Sequence, residues 1–238
     1  MAYPAARKTA AQMQQDILQF TGGARVQRWY SDGADEIHAA CTELGIRHDI
    51  AEPNRHESNG VIERTNRTVI EGARTILYHS GLPYKYWPEA MRYFCVSYNA
   101  FHRDSKHGHN PHEQRHGTRF TGVQLVFGEG ILYRPNSKAE LEMQRKLDPL
   151  TREGIFVGYS INSNGRWTET ILVIDAEDFK RQRRDSNRRA AIHTVHIKEV
   201  AQESTRPGHP LTFPVREGTY AESCGPVGEE RVFTPHPS

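Results

Sequence analysis

At the start of the chain, the spacing of apolar residues alternates between the helical and the extended period. The pattern predicts, in order, a helix over Thr9–Phe20, a strand over Arg25–Tyr30, a helix over Ala34–Leu44 and a short strand over Ile46–Ala51. This order is typical of an α/β fold with parallel strands, in which ligands bind at the carboxyl ends of the strands. Asp32 directly follows the first predicted strand and is therefore placed at that edge.

A polar loop over Glu52–Gly60 precedes a long amphipathic pattern that runs to about His79. Ser58 or Asn59 is a suitable N-cap for this helix. One face of it is apolar, and another face carries residues three or four positions apart, namely Glu63, Asn66, Arg67, Ile70 and Arg74. A second amphipathic helix is predicted over Glu89–Phe101, with aromatic residues that we expect to pack in a core.

The character of the sequence changes at Gly117. Short β-rich runs follow at Val123–Phe127, Ile131–Arg134, Gly154–Tyr159 and Thr170–Ile174, which predicts a small all-β unit. From Lys180 to Arg189 the chain is strongly basic, and its remainder shows little periodicity beyond one possible strand over His193–Val200. We therefore expect three parts, a first domain over 1–116, a β-domain over 117–179 and a basic, largely disordered tail over 180–238.

Composition restricts the possible classes of protein only loosely. The chain has 238 residues, a net charge of +2 and a mean hydropathy of -0.74, a polar composition that fits an unfolded tail. The charge is too small to indicate a polyanionic partner by itself. No apolar stretch is long enough for a bilayer, and the three cysteines suggest neither disulfides nor a cysteine zinc site, so we expect a nuclear or cytoplasmic, intracellular protein.

Two carboxylates stand out in this organisation. Asp32 ends a predicted strand, and Glu63 lies near the start of the predicted long helix. The strand ends and helix ends of this topology lie along one sheet edge, so the two side chains could converge. Hard oxygen ligands of this kind suit Mg²⁺ or Mn²⁺ bound together with substrate phosphates. Spacing alone leaves open that both residues are simply solvated.

Several motifs resemble the integrase core of copia-type retrotransposons. They are Tyr30-Ser-Asp-Gly33, the run over 41–48 with the sequence CTELGIRH, and the run over 53–68 with the sequence PNRHESNGVIERTNRT. The segments over 82–90, LPYKYWPEA, and 110–117, NPHEQRHG, resemble later parts of the same polyproteins. The segments KLDP, over 146–149, and GIFVGYS, over 154–160, resemble the small Src-homology-type barrel that follows the core in that family.

The resemblance implies an RNase H-like fold with an Asp, Asp, Glu triad that binds Mg²⁺ or Mn²⁺ and transfers DNA strands. Asp32 and Glu63 match the second and third triad positions, as catalytic residues and as metal ligands. Asn66 and Arg67 match positions from which the family's helix contacts DNA, and Arg64 and Arg74 could contact phosphates. DNA is the implied partner. The expected architecture is the C-terminal half of this fold, then a Src-homology-like β-barrel, then a disordered tail.

This sequence departs from the family pattern in three respects. The spacing from Asp32 to Glu63 is a few residues shorter than is typical of retroviral integrases, and His56 and Glu57 replace the usual Pro and Gln. In the family, three strands precede the first helix, and the first strand carries the first triad Asp, which has no counterpart here. We therefore expect an unpaired edge on the Asp32 strand, little strand transfer by this chain alone, and a homo-oligomer or partner chain that supplies the missing strands.

Several alternatives remain open at this stage. The chain could be a non-enzymatic nucleic-acid-binding module or an inert relic, or an unrelated hydrolase that uses Asp32 and Glu63 without metal. The arginines of the long helix could form a solvated face with pairs such as Arg67 to Glu71. His112 and His116 have the spacing of a zinc pair but lack a third ligand, and Pro111 and the glycines predict a loop over His102–His116. The basic run could hold phosphates, direct nuclear import or serve as linker.

Overall fold

The computed structural model of this protein describes residues 8–31, 33–50, 56–102, 108–135, 150–163, 165–184, 189–201, 204, 208 and 210–220. Its described parts combine helices with one parallel and one antiparallel sheet, so the predicted mixed α/β class is confirmed. Within this described part, no helix has both the length and the apolar character needed to cross a membrane.

The first four elements alternate as predicted. They are α1 (Ala10–Thr21), β1 (Arg28–Ser31), α2 (Asp35–Glu43) and β2 (Arg47–Ile50). The Thr9 side chain caps α1, and Gly22 ends it in the left-handed conformation that favours glycine. Strands β1 and β2 pair in parallel, with Ser31 opposite Ile50 at their carboxyl ends. A small core of Ile17, Ala40 and Cys41 holds the helices on this sheet.

Two long helices follow. Helix α3 covers His56–Ser80, and α4 covers Trp87–Phe101 after a short 3₁₀ turn. Helix α3 begins before the predicted N-cap at Ser58 or Asn59, so that prediction is wrong: these residue types favour an N-cap but are also compatible with the first turn of a helix. Ala73 and Leu77 of α3 are buried against the main core.

A four-stranded antiparallel sheet forms the C-terminal half of the described chain. Its strands are β3 (Gly130–Tyr133), β4 (Arg152–Ile161), β5 (Trp167–Asp175) and β6 (Ile192–His196), in that order. The other edge of β3 is also hydrogen-bonded. The Arg134 amide donates to the Glu199 carbonyl, and the Ala201 amide donates to the Leu132 carbonyl, both at 2.8 Å. The sheet thereby curls so that the segment after β6 meets β3.

The main core crosses the predicted boundary between 116 and 117. Its buried residues include Leu77, Tyr86 and Tyr93 from the helices, packed together with Phe127 and Phe156 from the sheet region. The ring of Tyr93 lies 5.8 Å from that of Phe156, edge to face. The two predicted domains therefore share one core, because α4 buries its apolar face against the four-stranded sheet and not against β1 and β2.

The predicted loop around the histidines contains a short helix, α5 (Pro111–His116). Asn110 and Glu113 form a reciprocal capping box, and Pro111 occupies a first-turn position, where its missing N–H costs nothing. The prediction of loop from Pro111 was wrong for this reason. Gly117 ends α5 with a positive φ.

The predicted tail from residue 180 belongs in large part to the folded structure. Helix α6 (Ala176–Arg184) continues β5 through the first part of the basic run, and β6 extends the sheet. Residues 210–220 also pack on the protein, and Tyr220 is buried. The boundary at 179 is therefore wrong, whereas residues 221–238 lie outside the described residues.

Candidate nucleic-acid interface

Helix α3 carries most of the predicted site residues on its surface. The side chains of Glu63, Arg64, Asn66, Arg67 and Arg74 are all exposed. In the part of the chain that the structure describes, none of the three arginines has an ion-pair partner, and the alternative pair of Arg67 with Glu71 is not formed. Their charges are thus available to a ligand.

The predicted metal pair is only half described. Asp32 lies outside the described residues, and it follows Ser31 at the carboxyl end of β1. Glu63 is an exposed residue of α3, about two turns from its start. Convergence of Asp32 and Glu63 on one ion therefore stays a prediction. Among the described residues, no group of three or more His, Cys, Asp or Glu side chains is placed to hold a metal ion.

Polar side chains that sequence reasoning missed lie at the end of β1. The Ser31 hydroxyl is 2.8 Å from Nε2 of His48 on β2, and Nδ1 of His48 is 3.4 Å from Nδ1 of His38 on α2. The residue types alone give no signal for this arrangement, which depends on the parallel register of Trp29 with His48. It fixes the last residue before Asp32 with a side-chain hydrogen bond.

A groove of about 610 Å³ separates the N-terminal half of α3 from the C-terminal half of α4. Its α3 wall includes Arg64, Asn66 and Ile70, and its α4 wall includes Phe94 and Tyr98. The sequence predicts that the α4 aromatics pack in a core, yet Tyr98 is 40% exposed. Tyr93 of α4 is buried in the main core, whereas Tyr98, farther along the same helix, is partly exposed to solvent.

The floor of this groove is aromatic and uncharged. Tyr98 stacks on His102, with ring centroids 4.3 Å apart and planes 15° from parallel. Burial raises the pKa of the Cys95 thiol, so Cys95 stays protonated near neutral pH and is a wall residue and not a nucleophile. The groove thus combines guanidinium and amide donors on one side with flat rings on the other.

Curated proteins provide clear sequence relatives for this chain. It is 29% identical over 155 residues to the retrovirus-related Pol polyprotein from transposon RE1 of Arabidopsis thaliana, a match over 63% of this chain and 10% of that protein. It is 35% identical over 82 residues to the Pol polyprotein from transposon TNT 1-94 of Nicotiana tabacum, over 32% of this chain and 6% of that protein. The homologues of this chain are retrovirus-related Pol polyproteins of plant transposons.

The relationship to retrotransposon polyproteins predicted from the motifs is therefore confirmed, and the copia-type assignment stays a prediction. The chain spans a tenth or less of the length of these two relatives, so their whole activities do not transfer to it directly. No protein-family model matches the sequence.

The similarity of this chain to solved structures is weaker than its similarity to the curated sequences. The catalytic core domain of BIV integrase matches with a TM-score of 0.37 and 28% identity, over 48% of this chain and 75% of that one. A simian T-cell lymphotropic virus intasome in complex with PP2A regulatory subunit B56 gamma matches with a TM-score of 0.41 and 15% identity. This match covers 84% of this chain and 66% of the intasome chain. Both TM-scores are low, so neither likeness supports a functional conclusion.

Proposed function

We propose that this chain is an integrase-derived segment that binds DNA through the exposed face of α3. The observation that carries the proposal is the exposure of Arg64, Arg67 and Arg74 on one helix without partners among the described residues. Guanidinium groups that are not neutralised by neighbouring acids bind backbone phosphates and release counterions. Asn66, between two of these arginines, adds an amide that can donate to a phosphate or a base edge.

The relatives favour this proposal over an unrelated hydrolase. Their names place them in retrovirus-related Pol polyproteins, the class that the motifs around Asp32 and Glu63 resemble. We propose that the ancestral reaction of this segment is metal-dependent DNA strand transfer. The copia-type origin and a Src-homology-type barrel belong to the same proposal, and the curled antiparallel sheet with its 3₁₀ turn over Ile197–Glu199 supports the barrel.

In this proposal, Asp32 and Glu63 hold a Mg²⁺ or Mn²⁺ ion. Carboxylates are suitable ligands for either ion, and exposed Glu63 has no ion-pair partner among the described residues. The ion, when bound, would supply positive charge to a phosphate oxygen. The role of the protein is to place both carboxylates beside the phosphate that the α3 arginines bind.

A salt titration tests the DNA-binding proposal. Binding of a short duplex of arbitrary sequence is followed by fluorescence anisotropy over a range of salt concentrations. We expect log K to fall steeply with log salt, and the slope to become shallower by about 2 to 3 units when Arg64, Arg67 and Arg74 are all replaced by Gln. An inert relic would show no binding and hence no slope to change.

The control removes the same number of charges from arginines that already have acidic partners. Arg28 and Arg47 both pair with Asp49, and Arg181 pairs with Asp178. The triple variant Arg28→Gln, Arg47→Gln, Arg181→Gln should retain the wild-type slope more closely than the α3 variant. Equal losses in the two variants would show that only net charge matters and would refute a specific α3 interface.

Calorimetry with Mn²⁺ tests the metal part separately. We expect heat of binding for the wild-type chain and its loss in Asp32→Asn. Binding to DNA without any Mn²⁺ heat would support the alternative, a non-enzymatic nucleic-acid-binding module. If Mn²⁺ gives no heat in either protein and the chain does not bind DNA, the metal-free acid and base pair becomes the better interpretation of Asp32 and Glu63.

The predicted self-association is a further part of the proposal. Among the described residues, β2 is the one strand that pairs with β1, and a strand at the edge of a sheet is a template for pairing with another chain. We propose that a second copy or a partner chain pairs with this edge. Sedimentation over a range of protein concentrations should reveal association, and a monomer at all concentrations would contradict the second-copy form of this proposal.

A further inference from the structure

A second cleft, of about 250 Å³, lies where three parts of the molecule meet. Phe20 lines it from the end of α1, Asn99 from α4, and Gly165 from the turn between β4 and β5. The remaining wall is α5 with His112 and His116, whose ring centroids are 4.5 Å apart. This cleft is separate from the α3 and α4 groove and uses none of the predicted DNA-binding residues.

The titratable side chains that line the cleft are all positive or protonatable, and they lie among apolar neighbours such as Val96 and Ile161. Nδ1 of His112 is 3.1 Å from the Thr118 carbonyl oxygen, so this nitrogen donates there and Nε2 is left for a ligand. Arg115 lines the cleft, and one of its nitrogens donates to the Phe20 carbonyl at 2.7 Å. Arg166 directly follows Gly165, which lines the cleft, and its positive charge is one of those that lower the pKa of His116.

Among the described residues, the acidic side chain of α5 is turned away from this cleft. Glu113, on the same short helix, bonds Arg119 at 2.8 Å and contacts His109 at 3.3 Å, on another side of α5. The described residues that line the cleft from α1 and α4 are uncharged. In the part of the chain that the structure describes, the charged or titratable groups that act on His116 are His112, Arg115 and Arg166, and none of these three is negative.

The pKa of His116 reflects the positive charges around it. Burial lowers the pKa of His116, and the positive charges of His112, Arg115 and Arg166 lower it further. The protonated ring is thus disfavoured by its own neighbours when the cleft is empty of anions. An anion placed between these groups would instead favour the protonated ring and raise the pKa of His116.

We propose that this cleft binds a tetrahedral oxyanion, a phosphate or a phosphate ester, between His112, His116 and Arg166. Asn99 and Arg115 supply further N–H donors at its margin. The ring of Phe120, 5.6 Å from that of His112, lines one side of the cleft. The site holds a ligand and performs no chemistry on it.

The proposal has a defined pH dependence. The anion prefers protonated His116, so its affinity rises as the pH falls through the pKa of His116, and bound anion raises that pKa in return. Each unit by which the pKa rises corresponds to about a tenfold difference in affinity between low and high pH. Sulfate is the preferred probe because, unlike phosphate, it does not titrate itself in this range.

The experiment follows the histidine ring resonances by NMR in the full chain, in sulfate and in chloride at equal ionic strength. We expect sulfate to raise the pKa of His116 by about one unit and to shift the resonances of His112. Identical titration curves for His116 in the two salts would overturn the proposal.

Variants test which residues hold the anion. Arg166→Gln changes an exposed residue that cannot disturb the core, and it should weaken sulfate affinity about tenfold at about pH 6. His116→Gln should weaken the pH dependence of sulfate affinity. His109→Gln is the matched control, since His109 pairs with Glu113 outside the cleft and should leave sulfate affinity unchanged. An equal loss in His109→Gln would count against the cleft.

Free phosphate and nucleic-acid phosphate are distinguished by competition. If a short DNA duplex displaces sulfate from the cleft of the variant that lacks Arg64, Arg67 and Arg74, the natural source of the oxyanion is the nucleic-acid backbone. If the duplex leaves bound sulfate in place, the source is a small free anion. Either result supports the site, and neither depends on DNA binding by α3.

Discussion

Gly72 of α3 lies directly against the ring of Phe94 in α4. A Cβ atom built on Gly72 would be 2.2 Å from Cε2 of Phe94, far inside van der Waals contact. The absence of a side chain at this position lets the two helices approach closely at one level. Beyond it, toward the start of α3 and the end of α4, they form the walls of the groove that contains Arg64 and Tyr98.

Gly72→Ala should therefore destabilise the protein and narrow the groove. The half-buried ring of Phe94 can move only toward the groove that it lines, and overpacking of this kind costs about 1 to 3 kcal/mol. Urea denaturation of purified variants measures this cost. Unchanged stability would mean that the helices separate more easily than the contact implies.

Gly60→Ala, in the same helix, provides the matched control. No atom lies within 4 Å of a Cβ built at Gly60, so only helix propensity changes. Alanine is favoured over glycine in a helix by about 1 kcal/mol, and we expect a gain of up to that size. Opposite signs for the two substitutions would show that the effect at Gly72 arises from Phe94 and not from glycine chemistry in general.

Tyr159→Phe should cost about 1 to 3 kcal/mol, because it leaves two backbone groups unpaired. The Tyr159 hydroxyl donates to the Val123 carbonyl at 2.8 Å and accepts from the Leu125 amide at 3.0 Å. Leu125 is fully buried, so water cannot replace the lost partner. Thermal unfolding followed by circular dichroism measures the loss.

Tyr78→Phe is the control for this substitution. Tyr78 is 83% exposed, and its hydroxyl faces solvent, so its removal should change stability by less than about 0.5 kcal/mol. A similar loss in both variants would indicate a general effect of the hydroxyl group on solubility or on the unfolded chain.

The same hydrogen bonds explain why one strand prediction was wrong. The run Val123–Phe127 has the composition of a strand, yet it adopts irregular structure. Its backbone groups bond to tyrosine hydroxyls from α4 and β4, since Tyr93 also donates to the Leu125 carbonyl at 2.8 Å. The local sequence shows that Leu125 and Phe127 are apolar. It does not show that distant tyrosine side chains make the backbone hydrogen bonds that a neighbouring strand would otherwise make.

Gln182→Met should destabilise the C-terminal half of the protein by about 1 to 3 kcal/mol. Oε1 of the buried Gln182 accepts hydrogen bonds from the Tyr86 hydroxyl and from the Ala190 amide, at 2.9 Å for the latter. Methionine keeps the volume and removes the acceptor. Arg181→Gln, one position earlier and exposed, is expected to change stability little.

Gln182 also shows why the basic run was predicted as a tail. The charge pattern over 180–189 is that of a solvated segment, but Lys180 pairs with Glu177 and Arg189 pairs with the buried Glu89. The acids that neutralise these residues are either one turn away or a hundred positions away in the sequence. A single glutamine inside a basic run carries no recognisable signal of burial, so the boundary at 179 could not be corrected from sequence.

Alkaline pH should destabilise the protein through its buried tyrosines. Burial raises the pKa of Tyr86 to about 12, whereas an unfolded tyrosine titrates near 10. The folded state thus prefers the neutral phenol, and its contribution to stability is complete below about pH 10 and disappears as the pH rises toward 12. Burial also raises the pKa values of Tyr159 and Tyr220, which adds to the effect.

Urea denaturation at about pH 9 and about pH 11 measures this loss. Tyr84→Phe is the control, because Tyr84 is 79% exposed and should not change the difference between the two pH values. Tyr86→Phe should reduce the difference, since it removes one titrating group. An unchanged difference in Tyr86→Phe would assign the alkaline loss to other residues.

The candidate site was predictable to the extent that it is local. Positions three and four residues apart on one helix face were enough to place Glu63, Asn66 and Arg67 together on the surface of α3. The groove beside them was not predictable, because it depends on the contact of Gly72 with Phe94 between two helices. The predicted convergence of Asp32 and Glu63 likewise depends on contacts between residues that are far apart in the sequence.

Residues 210–220 fasten the end of α3 to the start of β3. The Gly130 amide donates to the Thr212 carbonyl at 2.9 Å, Arg216 donates to the His79 carbonyl at 3.2 Å, and the rings of His79 and Phe213 meet edge to face at 4.6 Å. An early stop codon before this segment would uncover the helix end and the strand together. A shortened chain that ends before this segment should therefore be less stable than one that extends to Tyr220.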